Sequence, residues 1–261
     1  MFTAKNLENK IKEYWPKDGP STQEIEKYVK KYLKEKIIIK CGGGILLDPD
    51  LFNNFINDIT VLKKLGLTPI VVHGGGPRIK KKLDELNIET KFIMGLRVTD
   101  EKVIKVVEDV MIEFNKEIVE ALEKRTCKAK SITIKENNVI YAEQKNKELG
   151  YVGRPIRIND KLIKNLIKDG FIPIVSPMGL DEKKQVYNIN ADTAAGALAT
   201  SLKSRRLMLM TDVEGVYDKN KKLISEIKAF EAEKLIYDGT INEGMIPKIR
   251  TCINALNSGV R

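Results

Sequence analysis

One histidine, one tryptophan and three cysteines in 261 residues are few, and each scarcity closes off a class of function. Cys41, Cys127 and Cys252 lie far apart with no CxxC spacing, which argues against a zinc site and a disulfide framework, so reduced thiols are expected. Aromatic residues at 6% are too sparse for a platform on which bases stack. No run of eighteen or more apolar residues occurs, and the start MFTAKNLENKIKEYW lacks an apolar core. Neither a membrane span nor export is indicated, and the cytoplasm is the expectation.

Charge, by contrast, is plentiful: 46 Lys and Arg against 36 Asp and Glu give a formal +10. The lysines run along every segment and alternate with acidic residues without forming one basic block, so they read as solvated faces and not as a nucleic-acid footprint. An anionic small-molecule substrate is the sharper reading. A hydrophobic content of 42% suits a buried core, and the length suits one large α/β domain with two lobes.

Residues 1–34 read as an amphipathic helical extension: Leu7, Ile11 and Tyr14 recur at helical spacing, PKDGPST breaks the pattern, and Ser21 or Thr22 is a good N-cap before Ile25, Tyr28, Val29, Tyr32 and Leu33. Strands at 36–40 and 68–73 then alternate with helices at about 50–65 and 77–87. This order predicts parallel strands joined by right-handed crossovers and covered on both faces. KFIMGLRVTD predicts a short hairpin, followed by a long helix capped by Asp100. SITIKENNVIYAE, with Asn137 and Asn138 at a turn, and YVGRPIRIND predict exposed antiparallel elements. A helix at 160–169, the strand FIPIVSP, a helix from about Ala191, the strand RLMLMTD and a helix from about Met245 to Asn257 complete the alternation.

In open parallel sheets ligands gather at the carboxyl ends of the strands. There the sequence carries Lys40 with Gly42, Gly43 and Gly44, His73 with Gly74, Gly75 and Gly76, the run from Ser176 to Gly179, and Thr211 with Asp212. Consecutive glycines let backbone N–H groups approach an anion, and a helix start adds positive potential. One triplet alone is weak evidence, since glycines also make turns. Two triplets at the ends of parallel strands point to a polyphosphate or a phosphoryl group in transfer. GxxxxGK[ST] and GxGxxG are both absent, which excludes a P-loop and a dinucleotide fingerprint. Lys40 ends a buried strand, where an ammonium is costly without an anion to meet. A Cys41–His73 nucleophile pair reads poorly, because strand alternation turns Lys40 and Cys41 to opposite faces and no orienting third residue is evident.

The blocks IIIKCGGG, VVHGGGPRI, GLRVTD, LGYVG, VSPMG, NINADTAAGALA, TDVEGVYD and EGMIPKI, in this order and spacing, resemble the amino acid kinase family. Within it they resemble the branch that phosphorylates N-acetyl-L-glutamate in arginine synthesis, over roughly residues 25–260. The resemblance implies an α/β fold, a three-layer αβα sandwich around an open, mainly parallel eight-stranded sheet. It implies an N-terminal lobe (35–180) for the acyl amino acid and a C-terminal lobe (181–261) for ATP, with magnesium held mainly by the phosphates. It also implies roles. Lys40 would meet the transferring phosphoryl, Lys248 the ADP-side phosphates, and Asp192 would orient both lysines. Arg97, Asn188 and Asn190, with Gly75 and Gly76, would hold the acyl amino acid. Gly42 and Gly43 would hold phosphate, and Thr211, Asp212, Gly215 and Tyr217 would hold the nucleotide. Without the resemblance, Arg97 reads as an exposed hairpin arginine and Asp192 as an N-cap.

The N-terminal helix resembles that of arginine-inhibited hexameric members, with Tyr28 where that helix carries a tyrosine. A homo-oligomer, a dimer or a hexamer, and arginine as inhibitor are therefore expected partners. The family continues past NSGVR with a further strand, a DGR-containing turn, a helix and a last strand, so the chain reads as C-terminally short. Other readings of the same residues are a carbamate, glutamate or uridylate kinase, against which GLRVTD and NINAD argue, and a non-catalytic arginine or nucleotide sensor, against which Lys40, Asp192 and Lys248 argue.

Overall fold

A computed structural model describes residues 4–14, 19–44, 47–242 and 244–260. Trp15, the start of the PKDGPST break, Glu243 and the side chain of Leu7 lie outside the described residues. Two helices, α1 (Ala4–Tyr14) and α2 (Thr22–Tyr32), precede β1 (Lys36–Cys41), α3 (Pro49–Lys64), β2 (Thr68–His73) and α4 (Gly76–Glu85). The hairpin β3 (Phe92–Ile93) and β4 (Leu96–Arg97) leads into the long α5 (Glu101–Glu123) and β5 (Ala129–Ile132). Next come β6 (Ile140–Gln144), β7 (Gly153–Ile158), α6 (Asp160–Lys168), β8 (Ile172–Val175), β9 (Met178–Leu180) and β10 (Val186–Asn188). The chain continues with α7 (Ala191–Ser201), β11 (Arg206–Met210), the small ribbon β12 (Val216–Tyr217) and β13 (Leu223–Ile224), then α8 (Ala229–Tyr237) and α9 (Met245–Asn257).

Caps fix where the helices begin. Ser21 accepts from the Glu24 N–H, Asp48 from the Asp50 and Leu51 N–H groups ahead of Pro49, and Asp100 from Lys102 and Val103. Each side chain supplies an acceptor to a first-turn donor that lacks an intrahelical partner, a contribution of about 1 kcal/mol per cap.

The central sheet is parallel, in the order β11-β1-β2-β8-β5. β1 is paired on both flanks, and Lys40 sits level with Val72 of β2 and with Leu209 of β11. Strand periodicity divides β1 cleanly. Ile37, Ile39 and Cys41 join a core with Ile11, Ile25 and Val29 of the N-terminal helices, Phe55 and Ile59 of α3, and Phe114 and Ile118 of α5. Ile38 joins the opposite core with Ile163 of α6 and Ala194, Ala195 and Leu198 of α7. Lys40 continues the Ile38 side and therefore emerges under α7. Each fully buried aliphatic side chain contributes about 1.5–3 kcal/mol, and the two cores grip both faces of β1.

Two expectations are corrected. The central sheet has five strands among the described residues, not eight, because β6, β7, β9 and β10 hydrogen-bond into a separate four-stranded sheet, ordered β10-β9-β6-β7. The runs flanking Asn137 and Asn138 are not both exposed antiparallel elements. The turn is real, with Asn137 at φ +60, but β5 pairs parallel with β8 in the central sheet while β6 pairs antiparallel with β7. A half-buried edge strand and a hairpin strand share the same alternation, so pattern alone does not separate them. Among the described residues, no helix is long and apolar enough to cross a membrane.

Candidate active site

The loops after β1 and β2 run toward α3 and α4, whereas the chain leaving β8 reaches α7 on the opposite face. At the carboxyl ends, where these paths part, a cleft of about 500 Å³ opens. Its lining includes Lys40, Gly43, Gly74, Gly75 and Gly76 from the ends of β1 and β2, Asn188, Asn190, Asp192 and Lys248 from β10, α7 and α9, and Arg97 of β4.

Its ionic centre is a carboxylate between two ammonium groups. Lys248 donates to Asp192 Oδ2 at 2.8 Å, and Lys40 Nζ lies 2.9 Å from Oδ1. Asp192 thus spends one carboxylate oxygen on each lysine, and an ammonium carries three N–H donors, so Lys40 has donors beyond the one aimed at Asp192. Burial pushes the Lys40 ammonium below its ordinary value; Asp192 opposes the shift and Lys248 adds to it. For Asp192 burial pushes the carboxyl up, but Lys40 and Lys248 together reverse this and hold it below the ordinary carboxylate range. Asp192 also lies in the first turn of α7, where the helix dipole favours a negative charge.

The N-cap of α7 is Asn190 and not Asp192, correcting the capping role read for the aspartate. Asn190 Oδ1 accepts from the Thr193 N–H at 3.0 Å, which leaves the Asp192 carboxylate free for the lysines.

The two glycine loops meet as one ledge. Gly74 donates to the Cys41 carbonyl at 2.8 Å, and Gly42 donates to the Met210 carbonyl at 3.2 Å. A Cβ on Gly43 would come within 2.8 Å of Pro77 Cδ, one on Gly74 within 3.0 Å of the Gly43 nitrogen, and one on Gly75 within 2.7 Å of Met111 Sδ. None of the three has a positive φ, so close approach and not backbone conformation requires glycine here. A Cβ on Gly76 would meet only open space.

Arg97, read without the resemblance as an exposed hairpin arginine, is instead 8% exposed. It donates from Nη2 to the Gly76 carbonyl at 3.2 Å and stacks on Phe92, 4.7 Å from the ring centroid. Its Nη1 is buried without a partner, an arrangement suited to an arriving carboxylate. Burial lowers its pKa, and Asp84 opposes the shift. Thr99, fully buried, ties the clamp together: its hydroxyl donates to the Arg97 carbonyl at 2.9 Å and accepts from Asn188 Nδ2 at 3.2 Å. Lys80, Met111, Val152 and Ile189 line the cleft without having been named as site residues from sequence, and Thr99, outside the lining, supports it through Arg97 and Asn188. Thr99 falls inside the block GLRVTD, Val152 inside LGYVG and Ile189 inside NINADTAAGALA, whereas Lys80 and Met111 fall in none.

Thr211, Asp212, Gly215 and Tyr217 do not line this cleft. They follow β11 beside the β1 loop, where Thr211 donates to Asp212 at 3.0 Å, Gly215 adopts φ +157 and Tyr217 donates to Glu214 at 2.8 Å. Gly42 also lies outside the cleft lining, 3.8 Å from Lys40 Nζ by its would-be Cβ.

His73 is fully buried, edge-on to Phe114, with Asn115 Nδ2 3.1 Å from Nε2 and the Gly74 carbonyl 3.3 Å from Nδ1. Burial lowers its pKa to about 4, while burial raises the Cys41 thiol to about 12. A nucleophile–base pair needs the opposite shifts. Among the described residues no group of three or more His, Cys, Asp or Glu gathers to hold a metal ion.

Residues 35–261 match the amino acid kinase family. An acetylglutamate kinase of Pelagibacter ubique is 57% identical over 94% of this chain and 85% of its own length. The crystal structure of smu.665 from Streptococcus mutans superposes with a TM-score of 0.80 at 30% identity, covering 86% of this chain and 91% of that one. Carbamate kinase from Giardia lamblia, 16% identical over 87% of this chain and 90% of its own, shares the fold with a TM-score of 0.63. By its matched residues, its relatives and its parallel αβα architecture, this chain belongs to the amino acid kinase family.

Proposed function

We propose that the protein transfers the γ-phosphoryl group of ATP to the side-chain carboxylate of N-acetyl-L-glutamate, yielding the acyl phosphate and ADP. The observation that carries this reading is the Lys40–Asp192–Lys248 cluster facing the double glycine ledge. Phosphoryl transfer asks a protein chiefly for positive charge and N–H donors around a group whose negative charge is spreading. In this reading the carboxylate oxygen attacks phosphorus as the bond to the β-phosphate oxygen breaks. Lys40 meets the oxygens of the moving group, Lys248 the departing β-phosphate, and Asp192 keeps the two ammonium groups from drifting apart. Magnesium, arriving with the nucleotide, would supply further positive charge, and Asp192, already engaged by both lysines, would not be free to hold it.

Two features favour an acylated dicarboxylate over other acceptors. A carboxylate is ionised at neutral pH and needs no base, which suits a cleft whose neighbouring histidine is fully buried. Asp192 is the one carboxylate among the described lining residues, and it is paired, so nothing waits for the ammonium of free glutamate. An uncharged acylated nitrogen fits, with Met111, Val152 and Ile189 beside it for a small apolar cap. In this assignment residues 35–180 carry the acyl amino acid and residues 181–261 the nucleotide, with Thr211 to Tyr217 as its outer contact. The experiment measures ATP consumption with N-acetylglutamate, glutamate, carbamate and UMP as competing acceptors, with and without arginine. Preference for N-acetylglutamate is expected, and preference for any of the other three overturns the reading.

A further inference from the structure

Lys80 stands on the wall that the cleft shares with an adjoining open cavity of about 610 Å³, and the shared residues are Lys80, Phe92 and Arg97. It is therefore at the threshold between solvent and site. Lys80 lies one helical turn beyond Gly76 on α4, and the Gly76 carbonyl is the anchor of Arg97. Residues four apart share a helix face, so two cations border one corner. Lys82 on the same helix is paired with Glu85 at 3.4 Å, whereas Lys80 makes no ion pair or hydrogen bond among the described residues.

Charge counting along the cleft sharpens this. Lys40 and Lys248 share Asp192, the one carboxylate among the described lining residues, and Arg97 and Lys80 make no ion pair with it. The acidic residues Asp84 and Glu89 lie in the outer cavity. Building on the function proposed above, we infer that Lys80 binds the second, non-reacting carboxylate of the substrate, closing on it from solvent while Arg97 holds it from the interior. The site thereby selects a dicarboxylate: one carboxylate for the phosphoryl, one for this corner. Arg97 has the buried unpartnered Nη1 to give it, and Lys80 is a flexible point charge able to follow the ligand inward.

The test compares Lys80→Gln with Lys81→Gln, which removes the same formal charge from the adjacent exposed lysine outside the cleft. N-acetylglutamate and 4-acetamidobutanoate serve as acceptors, the latter keeping the reacting carboxylate and lacking the other. Lys80→Gln is expected to raise KM for N-acetylglutamate about two- to fivefold, the range for an exposed charge contact, with smaller changes in kcat and in KM for ATP. The ratio to wild type shrinks as salt rises from ~50 to ~500 mM. Lys80→Arg restores the wild-type KM, Lys81→Gln behaves as wild type, and kcat/KM for 4-acetamidobutanoate is unaffected by Lys80→Gln. Equal losses on both acceptors, or equal effects of the two glutamine variants, overturn the inference. Calorimetric titration with N-acetylglutamate alone separates the two readings. Wild type that binds without turnover sinks the function and leaves the contact; turnover with Lys80→Gln unchanged sinks the contact and leaves the function; absence of wild-type binding sinks both.

Discussion

Replacing Asp192 by asparagine removes one negative charge and leaves the side-chain volume nearly unchanged, so what it measures is the anion between Lys40 and Lys248. At 2.9 Å, the Lys40–Asp192 attraction amounts to about 6 kcal/mol at an effective dielectric of ~20. Much of that offsets the desolvation of both groups, whose side chains are each 7% exposed. The mutation does not return that desolvation, because Lys40 stays buried. Breaking such a pair from one side costs about 3–5 kcal/mol, and for a chain of this size the melting temperature should fall by on the order of 10 °C. The direction at Lys40 also follows: with the carboxylate gone, burial and Lys248 both push its ammonium further down. ATP should stabilise Asp192→Asn by a larger increment than it stabilises wild type, because its phosphates replace the missing anion between the lysines. Thermal scans with and without nucleotide, for the single variant and for Asp192→Asn/Lys248→Met, read all of this. The double variant should be more stable than Asp192→Asn alone, since it removes the uncompensated second cation. A loss below about 1 kcal/mol in the single variant, or a double variant less stable than the single, would refute the reasoning.

Lys40→Ala should lower kcat by on the order of a hundredfold, about 3 kcal/mol of transition-state stabilisation, with a smaller change in either KM; an unchanged kcat removes its assigned role. His73, the chain's only histidine, titrates at about 4 in the fold against ~6.5 unfolded. Between those pH values the unfolded chain binds the extra proton, so stability falls as pH falls through the window, by about 3 kcal/mol from this group. Denaturant unfolding from pH 7 to 4 should show a shallower decline in His73→Gln than in wild type, and parallel curves would mean the ring is not buried neutral.

How legible the molecule is from its sequence depends on whether the cause is local. Asp100 and Ser21 could be read as caps because a cap and its first-turn donors are sequence neighbours. The Ile37 and Ile38 alternation likewise foretold that Lys40 and Cys41 part to opposite faces. The Asn190–Asp192 exchange was not readable, because both residue types cap well and the lysines that claim Asp192 sit 56 or more positions away. Lys80 and Met111 belong to the cleft only because α4 and α5 converge there, and neither has a local pattern distinguishing it from its neighbours. Helix α8 and the β12–β13 ribbon are short and mostly exposed, so they leave little periodicity to detect. The sheet count failed for a related reason: alternation marks a strand but not which sheet it joins.

The ledge of Gly43, Gly74 and Gly75 sets a ruler in the molecule. The separation of the two loops is fixed by atoms already touching, and a single methyl group at Gly43 would collide with the Pro77 ring of the facing loop. A tether could lengthen, but a contact between bare backbones cannot be shortened. In-line transfer of a phosphoryl group tolerates little error between donor and acceptor. Here that tolerance is written in van der Waals radii, so the span between the two reactants is determined before either arrives.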